Sequence, residues 1–267
     1  MLRFLTLVVF EMVKLRQIGE ATLYCGNCSE ILSSLEKPGI VLTDPPYGIA
    51  YKSGQTSDTL WKAGDRIIGD TDTVARDLVV EYCLANDIPA LVFGSWKASL
   101  PKGVRQRLIW SKGSALGMGD LSLPWKSSAE DIYVIGRGFS GKRDEGSVLN
   151  FSPVQSMAKN GRKHPNEKPV ALLRHLLKKC PPGLVLDPFM GSGSAGEAAI
   201  MENRSFIGIE ICEAYFEIAC QRIEKVYQKT SLTREVFGVN NFPIRQSESL
   251  LSLLPQKCDC FSQGGGS

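Results

Sequence analysis

Short apolar runs bounded by glycine, proline and polar residues alternate along the chain with longer segments of helical periodicity. Runs rich in Val, Ile and Leu are typical of strands buried on both faces of a parallel sheet. They predict strands at 22–25, 39–43, 89–93, 107–110, 131–135, 184–186 and 206–209. Apolar residues at helical spacing predict helices at 29–35, 74–86, 169–179, 195–202 and 213–227. This order predicts an α/β fold with a mostly parallel sheet and helices on both faces.

Two long polar segments interrupt the pattern. Residues 48–70 are rich in Gly, Ser, Thr, Lys and Asp, and residues 137–163 are dominated by Gly, Ser, Lys, Arg and Asn. Loops of this length inside a compact domain are usually functional. Periodicity fades beyond about residue 230, which predicts a flexible tail over 231–267.

A glycine-rich segment, LVLDPFMGSGSAG at 184–196, follows a predicted buried strand and opens a helix. Glycines let a backbone approach a ligand closely, and a helix N-terminus offers unpaired amide donors. Glu210 ends the next strand, where its carboxylate can accept hydrogen bonds from both hydroxyls of a ribose. The spacing also fits a nicotinamide dinucleotide site, and it fits a purely structural turn. Asp187 favours a cationic ligand over a pyrophosphate, because a carboxylate repels phosphate.

The segment Thr43-Asp44-Pro45-Pro46-Tyr47-Gly48 follows another predicted buried strand. Ligands of open α/β sheets bind at the carboxyl ends of such strands. The prolines are rigid and lack amide hydrogens, so their carbonyls can act as outward-facing acceptors. Asp44 adds a carboxylate acceptor and Tyr47 an aromatic face. Together they suit a planar amine with two hydrogens, although the same residues also make simple turns.

These two segments resemble the motifs of the DNA amino-methyltransferases, an Asp/Asn/Ser-Pro-Pro-Tyr/Phe motif and an Asp-Pro-Phe-x-Gly-Ser-Gly motif. Their order, 44–47 before 187–193, is similar to the beta group of that family. Three further elements resemble the group over about residues 22–227: Tyr24-Cys-Gly-Asn-Cys28, Trp110-Ser-Lys112 and His164-Pro-Asn-Glu-Lys168-Pro.

The resemblance implies one Rossmann-like methyltransferase domain that uses S-adenosylmethionine and acts on DNA, with base flipping and a role in restriction-modification. It implies catalytic residues Asp44, Pro45, Pro46 and Tyr47. It implies cofactor contacts from Asn27, Cys28, Asp44, His164, Lys168, Asp187, Phe189, Gly191, Ser192, Gly193 and Glu210. Segments 48–66 and 137–163 are expected to flank the pocket and hold DNA through Lys52, Arg137, Lys142, Arg143 and Arg162.

The expected organisation is an N-terminal extension at 1–21 and a methyltransferase domain at 22–230. Within the domain we expect a catalytic half at 22–138, a short target-recognition segment at 139–160 and a cofactor half at 161–230. Two departures from the family pattern are Asn27 in place of Asp and Ser194 in place of Thr. The short recognition segment puts selectivity for long DNA sequences in doubt.

The resemblance leaves open whether the methylated base is adenine or cytosine. The Asp-Pro-Pro-Tyr form resembles the adenine members more, which favours adenine-N6 over the cytosine-N4 alternative. A nicotinamide-dependent oxidoreductase and an inactive DNA-binding module are the rival classes.

Composition adds little to this interpretation. A net charge of +3 over 267 residues fits a DNA partner or a small-molecule enzyme equally well. No stretch has the length of a membrane helix, so we expect a cytoplasmic protein, or one inside a host cell if phage-borne. A homodimer is one of the oligomeric states left open. The eight cysteines are expected to be free thiols. The alternatives are a redox pair of Cys25 and Cys28, or a zinc site of these two with Cys258 and Cys260, and no metal is expected in the reaction.

Overall fold

A computed structural model describes residues 14–49, 69–113, 122–154 and 167–237. These residues form one nine-stranded sheet and five α-helices. The strands are β1 (Lys14–Ile18), β2 (Ala21–Cys25), β3 (Ile40–Thr43), β4 (Ala90–Gly94), β5 (Val104–Ser111), β6 (Ala129–Ile135), β7 (Val148–Asn150), β8 (Val185–Asp187) and β9 (Phe206–Glu210). The helices are α1 (Cys28–Ile31), α2 (Val74–Ala85), α3 (Val170–Leu177), α4 (Ser194–Met201) and α5 (Glu213–Phe237).

The strand order is β1-β2-β9-β8-β3-β4-β6-β5-β7, and β1 and β6 run opposite to the other strands. The connection from β3 leads through α2 to β4, whereas that from β8 leads through α4 to β9. The two crossovers therefore diverge between the adjacent strands β3 and β8. Such a switch point leaves a crevice at the carboxyl ends of the strands.

The sheet separates two apolar cores, as expected for strands that are buried on both faces. Ile40 and Leu42 of β3 pack in the core that contains α3, α4 and α5, and Val41 packs in the core that contains α1 and α2. Successive side chains of a strand point to opposite faces, which explains this division. The predicted α/β architecture with helices on both faces is confirmed.

The structure differs from the predicted pattern at several elements. β1 lies within the expected N-terminal extension and pairs with β2, so the sheet begins before residue 22. β7 lies within the expected recognition segment and pairs with β5. The helix expected at 29–35 is one α-helical turn, α1, followed by a 3-10 turn at 32–34. The last helix, α5, continues ten residues past its predicted end, to Phe237.

Several sequence-based expectations lie outside the described residues. They concern Lys52, Arg162 and His164, most of the loop at 48–70, the tail beyond 237, and the two C-terminal cysteines of the alternative zinc site. The six cysteines that the structure does describe are free thiols. No helix in the described ranges is both long enough and apolar enough to cross a membrane.

The role of β1 gives a test of the fold. Ile18 is buried at 5% exposure, whereas Leu15 of the same strand is 52% exposed. We expect Ile18→Ala to lower the free energy of unfolding by about 2–5 kcal/mol, because it removes buried methyl groups and leaves a cavity. Leu15→Ala is the matched control and should change it by about 0.5 kcal/mol or less. Urea denaturation followed by circular dichroism measures both, and equal small effects would contradict the packing of β1.

Candidate active site

The two motifs singled out in the sequence meet at the switch point of the sheet. Asp187 ends β8 and Thr43 ends the adjacent β3, and the Thr43 hydroxyl donates to Asp187 Oδ1 at 2.6 Å. A cavity of about 410 Å³ opens beside them. Small-molecule sites have volumes of about 300–1,000 Å³. The crevice therefore has the size and the position of a ligand site.

The segment after β3 is held in place by its own side chains. The Tyr47 hydroxyl donates to Asp44 Oδ1 at 2.5 Å. The Gly48 amide donates to Asp70 Oδ1 at 2.8 Å. Gly48 has φ +72°, and a Cβ there would lie 2.7 Å from the Asp72 backbone, so only glycine fits. These contacts direct Asp44 and Tyr47 into the cavity.

Lys168 places a buried ammonium between two carboxylates. Its Nζ lies 2.5 Å from Asp44 Oδ2 and 3.2 Å from Glu130 Oε2, and its side chain is only 4% exposed. The same Nζ lies 5.6 Å from the centroid of the Tyr47 ring and 5.1 Å from that of Phe93. Two counter-charges and two aromatic faces replace the water that this ammonium loses on burial.

The pKa values of this cluster follow from burial and from the neighbouring charges. Burial raises the pKa of Asp44 and Glu130 adds to the rise, whereas Lys168 opposes it. Burial also works against the Lys168 ammonium, but Asp44 and Glu130 outweigh it and raise the pKa of the lysine. Burial and the two carboxylates raise the pKa of Tyr47 well above its ordinary value. The phenol therefore stays protonated and acts as a donor.

The glycine-rich turn is tied to the end of β9. The Gly191 amide donates to Glu210 Oε2 at 2.9 Å, and the Cys212 amide donates to Glu210 Oε1 at 2.8 Å. Gly193 caps α4 with φ +82°, and a Cβ there would lie 2.9 Å from Ala219 Cβ. The turn can thus pass close under α5 while Gly191 faces the cavity. The Glu210 carboxylate keeps lone-pair capacity for ligand hydroxyls.

Arg222 of α5 joins the turn to the segment that carries Lys168. Its guanidinium donates at 3.1 Å to both the carbonyl and the hydroxyl oxygen of Ser192. It also pairs with Glu197 at 2.9 Å and with Glu167. Because Glu167 precedes Lys168, one arginine positions both the glycine-rich turn and the buried lysine.

Asn27 and Cys28 line the far end of the same cavity. Asn27 caps α1, and its Oδ1 accepts from the Ser29 amide at 3.1 Å. Burial raises the pKa of Cys28 to about 11, so its thiol stays protonated. In the described ranges, no group of three or more His, Cys, Asp or Glu side chains is arranged to hold a metal ion.

The described residues that the resemblance assigned to catalysis and cofactor binding are brought together. All of them line the cavity except Gly193, which caps the helix beside it. Lys168 was expected to contact the cofactor. In the structure its ammonium forms an ion pair with the Asp44 carboxylate.

Arg137, Lys142 and Arg143 do not flank the cavity. β6 is antiparallel and ends beside the start of β4, so Arg137 leaves the sheet at the opposite edge. Further along, Lys179 Nζ, just after α3, donates to the Lys142 carbonyl at 2.6 Å. The expectation that 137–163 surrounds the pocket is therefore wrong for these three residues. The direction of β6 is the physical reason.

Sequence reasoning missed Glu130 and Arg222, and it quoted Lys112 only as part of a resemblance, without a role in the site. Glu130 lies at the start of β6, where the antiparallel direction brings it to the cavity edge, and Lys112 Nζ lies 2.5 Å from its Oε1. Glu130 directly precedes the strand predicted at 131–135, and no local pattern assigns it to the site. Arg222 carries no local signal either, because it lies among several charged residues of a long helix.

Comparisons with known proteins find similarity to DNA methylases. Residues 91–221 match the model of the N6_N4_Mtase family, described as DNA methylase. The match includes Lys168 and the glycine-rich turn and begins after Asp44. The protein YubD of Escherichia coli (strain K12) is 28% identical over 220 residues, which cover 75% of this chain and 89% of YubD. Type II methyltransferase M.HpaI of Haemophilus parainfluenzae is 28% identical over 238 residues, covering 77% of this chain and 74% of M.HpaI.

A third relative covers a shorter region. DNA adenine methyltransferase YhdJ of Escherichia coli (strain K12) is 38% identical over 81 residues, or 30% of this chain and 28% of YhdJ.

Solved structures share the fold. The crystal structure of the M1.HpyAVI–SAM complex superposes with a TM-score of 0.55 at 20% identity, covering 76% of this chain and 98% of that one. The PvuII DNA methyltransferase (cytosine-N4-specific) superposes with a TM-score of 0.52 at 16% identity, covering 80% of this chain and 93% of that one.

The titration of Asp187 gives a test of the site. Burial raises the pKa of Asp187 to about 7, whereas hydrogen bonds from Thr43 and Phe189 oppose the rise. An Asp in an unfolded chain titrates near about 3.9, so the folded chain binds more protons between these values. The contribution of this residue to stability is therefore present at low pH and is lost as pH rises towards 7.

Asp187→Asn should remove this dependence, because an amide can accept the same two hydrogen bonds without ionising. The free energy of unfolding of the variant minus that of the original chain should rise by about 2–3 kcal/mol between pH 5 and pH 8. Chemical denaturation of both proteins across this range measures the difference. A difference that stays constant with pH would contradict the raised pKa.

Proposed function

We propose that this chain transfers a methyl group from S-adenosylmethionine to the exocyclic amino group of adenine in DNA, a reaction supported by the match of residues 91–221 to a family model described as DNA methylase. The observation that carries the proposal is the position of Asp44. Its carboxylate lies at the carboxyl edge of the sheet, in the same cavity as the glycine-rich turn and Glu210.

The chemistry of the cavity fits S-adenosylmethionine, which supplies an electrophilic methyl group on a sulfonium centre. Glu210 offers lone pairs to ribose hydroxyls, and the open space beside Gly191 admits a ligand next to the backbone. Asp187 lies where the cationic end of such a ligand would be attracted. A dinucleotide fits less well, because its pyrophosphate would have to pass this carboxylate. The nicotinamide alternative is therefore set aside.

Asp44 and the Pro45 carbonyl are the acceptors for the target amine. An amino nitrogen conjugated to a base ring is a poor nucleophile, since its lone pair is delocalised into the ring. Two acceptors for its hydrogens favour a pyramidal nitrogen with the lone pair directed at the methyl group. The Asp44 carboxylate also stabilises the positive charge that develops on the nitrogen. The base has to leave the duplex to reach this pocket, where Tyr47 offers a ring for stacking.

Adenine is favoured by two observations. The motif at 44–47 is Asp-Pro-Pro-Tyr, the form that resembles the adenine members of the group. The relative YhdJ, which is 38% identical over 81 residues, is named as a DNA adenine methyltransferase. Cytosine-N4 is the alternative product, because both amines present the same two hydrogens to Asp44.

The DNA-binding face is proposed to lie at the carboxyl edge of the catalytic half. The β4–β5 connection carries Trp96 and Lys97 there, and the β5–β6 connection carries Trp125 and Lys126. Trp96 is 75% exposed and Trp125 is 81% exposed. Exposed aromatic side chains can stack on the bases of a single strand, and lysines beside them suit a phosphate backbone.

The principal experiment uses Asp44→Asn, which keeps the shape of the side chain and removes its charge. We expect the methylation rate to fall on the order of a hundredfold or more, because a preorganised electrostatic partner of the reacting nitrogen is lost. The measurement is incubation with labelled S-adenosylmethionine and DNA, followed by digestion and mass spectrometry of the nucleosides. Asp144→Asn, an exposed carboxylate paired with Lys179 outside the cavity, is the control and should keep the original rate.

The product separates the outcomes. N6-methyladenine supports the full proposal, and N4-methylcytosine supports the reaction but overturns the base. If the original chain yields no methylated nucleoside, the proposed function is overturned. A near-normal rate for Asp44→Asn would remove Asp44 from the mechanism.

The salt dependence of DNA binding tests the proposed face. Each phosphate that a protein neutralises adds about 0.9 to the steepness of the plot of log affinity against log salt concentration. We expect Lys97→Ala with Lys126→Ala to flatten the slope by up to about 2. The matched double variant, Lys142→Ala with Arg143→Ala, should keep the original slope, because these residues lie away from the cavity. If instead Lys142→Ala with Arg143→Ala flattened the slope and the other double variant kept it, the DNA would bind at the opposite edge of the sheet.

A further inference from the structure

The two donors that occupy Asp44 also lie within reach of a second carboxylate. The Tyr47 hydroxyl oxygen lies 2.5 Å from Asp44 Oδ1 and 3.3 Å from Glu130 Oε2. Lys168 Nζ lies 2.5 Å from Asp44 Oδ2 and 3.2 Å from the same Glu130 oxygen. Glu130 is therefore an alternative acceptor for both donors, at distances that need only small side-chain movements.

Asp44 becomes a stronger acceptor for a target amine when its present donors move to another partner. Tyr47 engages one of its oxygens and Lys168 the other, and both contacts are short. A carboxylate oxygen that is held by an ammonium attracts a further hydrogen less strongly. The phenol has a single hydrogen, so Tyr47 can donate to Asp44 or to Glu130 but not fully to both.

We propose that Glu130 is a positioning residue that takes over the hydrogen bonds of Tyr47 and Lys168 when the target amine engages Asp44. This inference rests on the proposed function, because it assumes that an amine binds at Asp44. Glu130 acts through its neighbours and does not itself contact the reacting nitrogen.

The surroundings of Glu130 suit this role. Its other oxygen, Oε1, pairs with Lys112 Nζ at 2.5 Å, which leaves Oε2 facing the two donors. Burial works against the charge of Glu130, but Lys168 and Lys112 outweigh it and lower its pKa. The carboxylate is thus ionised and ready to accept. Asp44, Glu130, Lys112 and Lys168 carry equal numbers of positive and negative charges, so the exchange moves no net charge into the pocket.

The variant Glu130→Gln keeps the size of the side chain and removes its charge. We expect the turnover rate to fall on the order of tenfold, which corresponds to about 1.4 kcal/mol in the barrier. The dissociation constant for S-adenosylmethionine, measured by calorimetry, should stay within about twofold, because Glu130 is not among the groups that hold the glycine-rich turn.

A second measurement does not depend on turnover. Removal of a neighbouring negative charge should lower the pKa of the Asp44 carboxyl. Carbon-13 NMR of labelled aspartate in the cofactor-free protein, assigned with Asp44→Asn, should show this decrease in Glu130→Gln. The acid limb of the pH–rate profile should move to lower pH as well. A loss of packing alone would lower the rate without moving either value in this direction.

Asp131→Asn is the matched control. Asp131 is the next residue of β6, on the opposite face, where it pairs with Arg107 at 3.5 Å. Its variant should keep the original rate and the original Asp44 pKa. If the original chain methylates DNA and Glu130→Gln does so at the same rate, this inference is overturned and the proposed function stays intact. An unchanged Asp44 pKa would also overturn it. Absence of methylation by the original chain would overturn both.

Discussion

The buried ammonium of Lys168 is the constraint on which the site depends. An ammonium that is 4% exposed is stable only if counter-charges meet it in a fixed geometry, and removal of one partner of such a pair costs about 3–5 kcal/mol. Asp44 comes from the end of β3, Glu130 from the start of β6, and Lys168 from the segment before α3. One charge therefore fixes three distant parts of the chain, and it fixes them around the place where a ligand amine would bind.

Strand direction decides which polar residues reach this place. The parallel strands β3, β8 and β9 deliver Asp44, Asp187 and Glu210 at their carboxyl ends. The antiparallel β6 delivers Glu130 at its amino end and carries the following segment, with Arg137, away to the other edge. The reversed direction of β6 thus adds a carboxylate to the active site and removes a group of cations from it.

Buried parallel strands and the ligand segments that follow them could be predicted from the sequence, because apolar runs ending in Asp44 or Asp187 are local patterns. The direction of β6 could not, since an apolar run reads the same in either direction. β1 was missed because its residues, KLRQI, are mostly polar and form an exposed strand. β7 has only three residues. The contacts of Arg222 depend on the packing of α5 against α4, which no local pattern contains.

The outermost strands affect how molecules of this protein behave towards each other. A strand at the border of a sheet offers unpaired amides and carbonyls to any other extended chain. β1 carries Lys14 and Arg16 at this border, and charged side chains there discourage a second strand from adding on. β7, at the other border of the described sheet, is three residues long and gives little length for pairing. Within the described residues, the sheet is thus protected at both borders against growth by intermolecular strand addition, the first step towards aggregation.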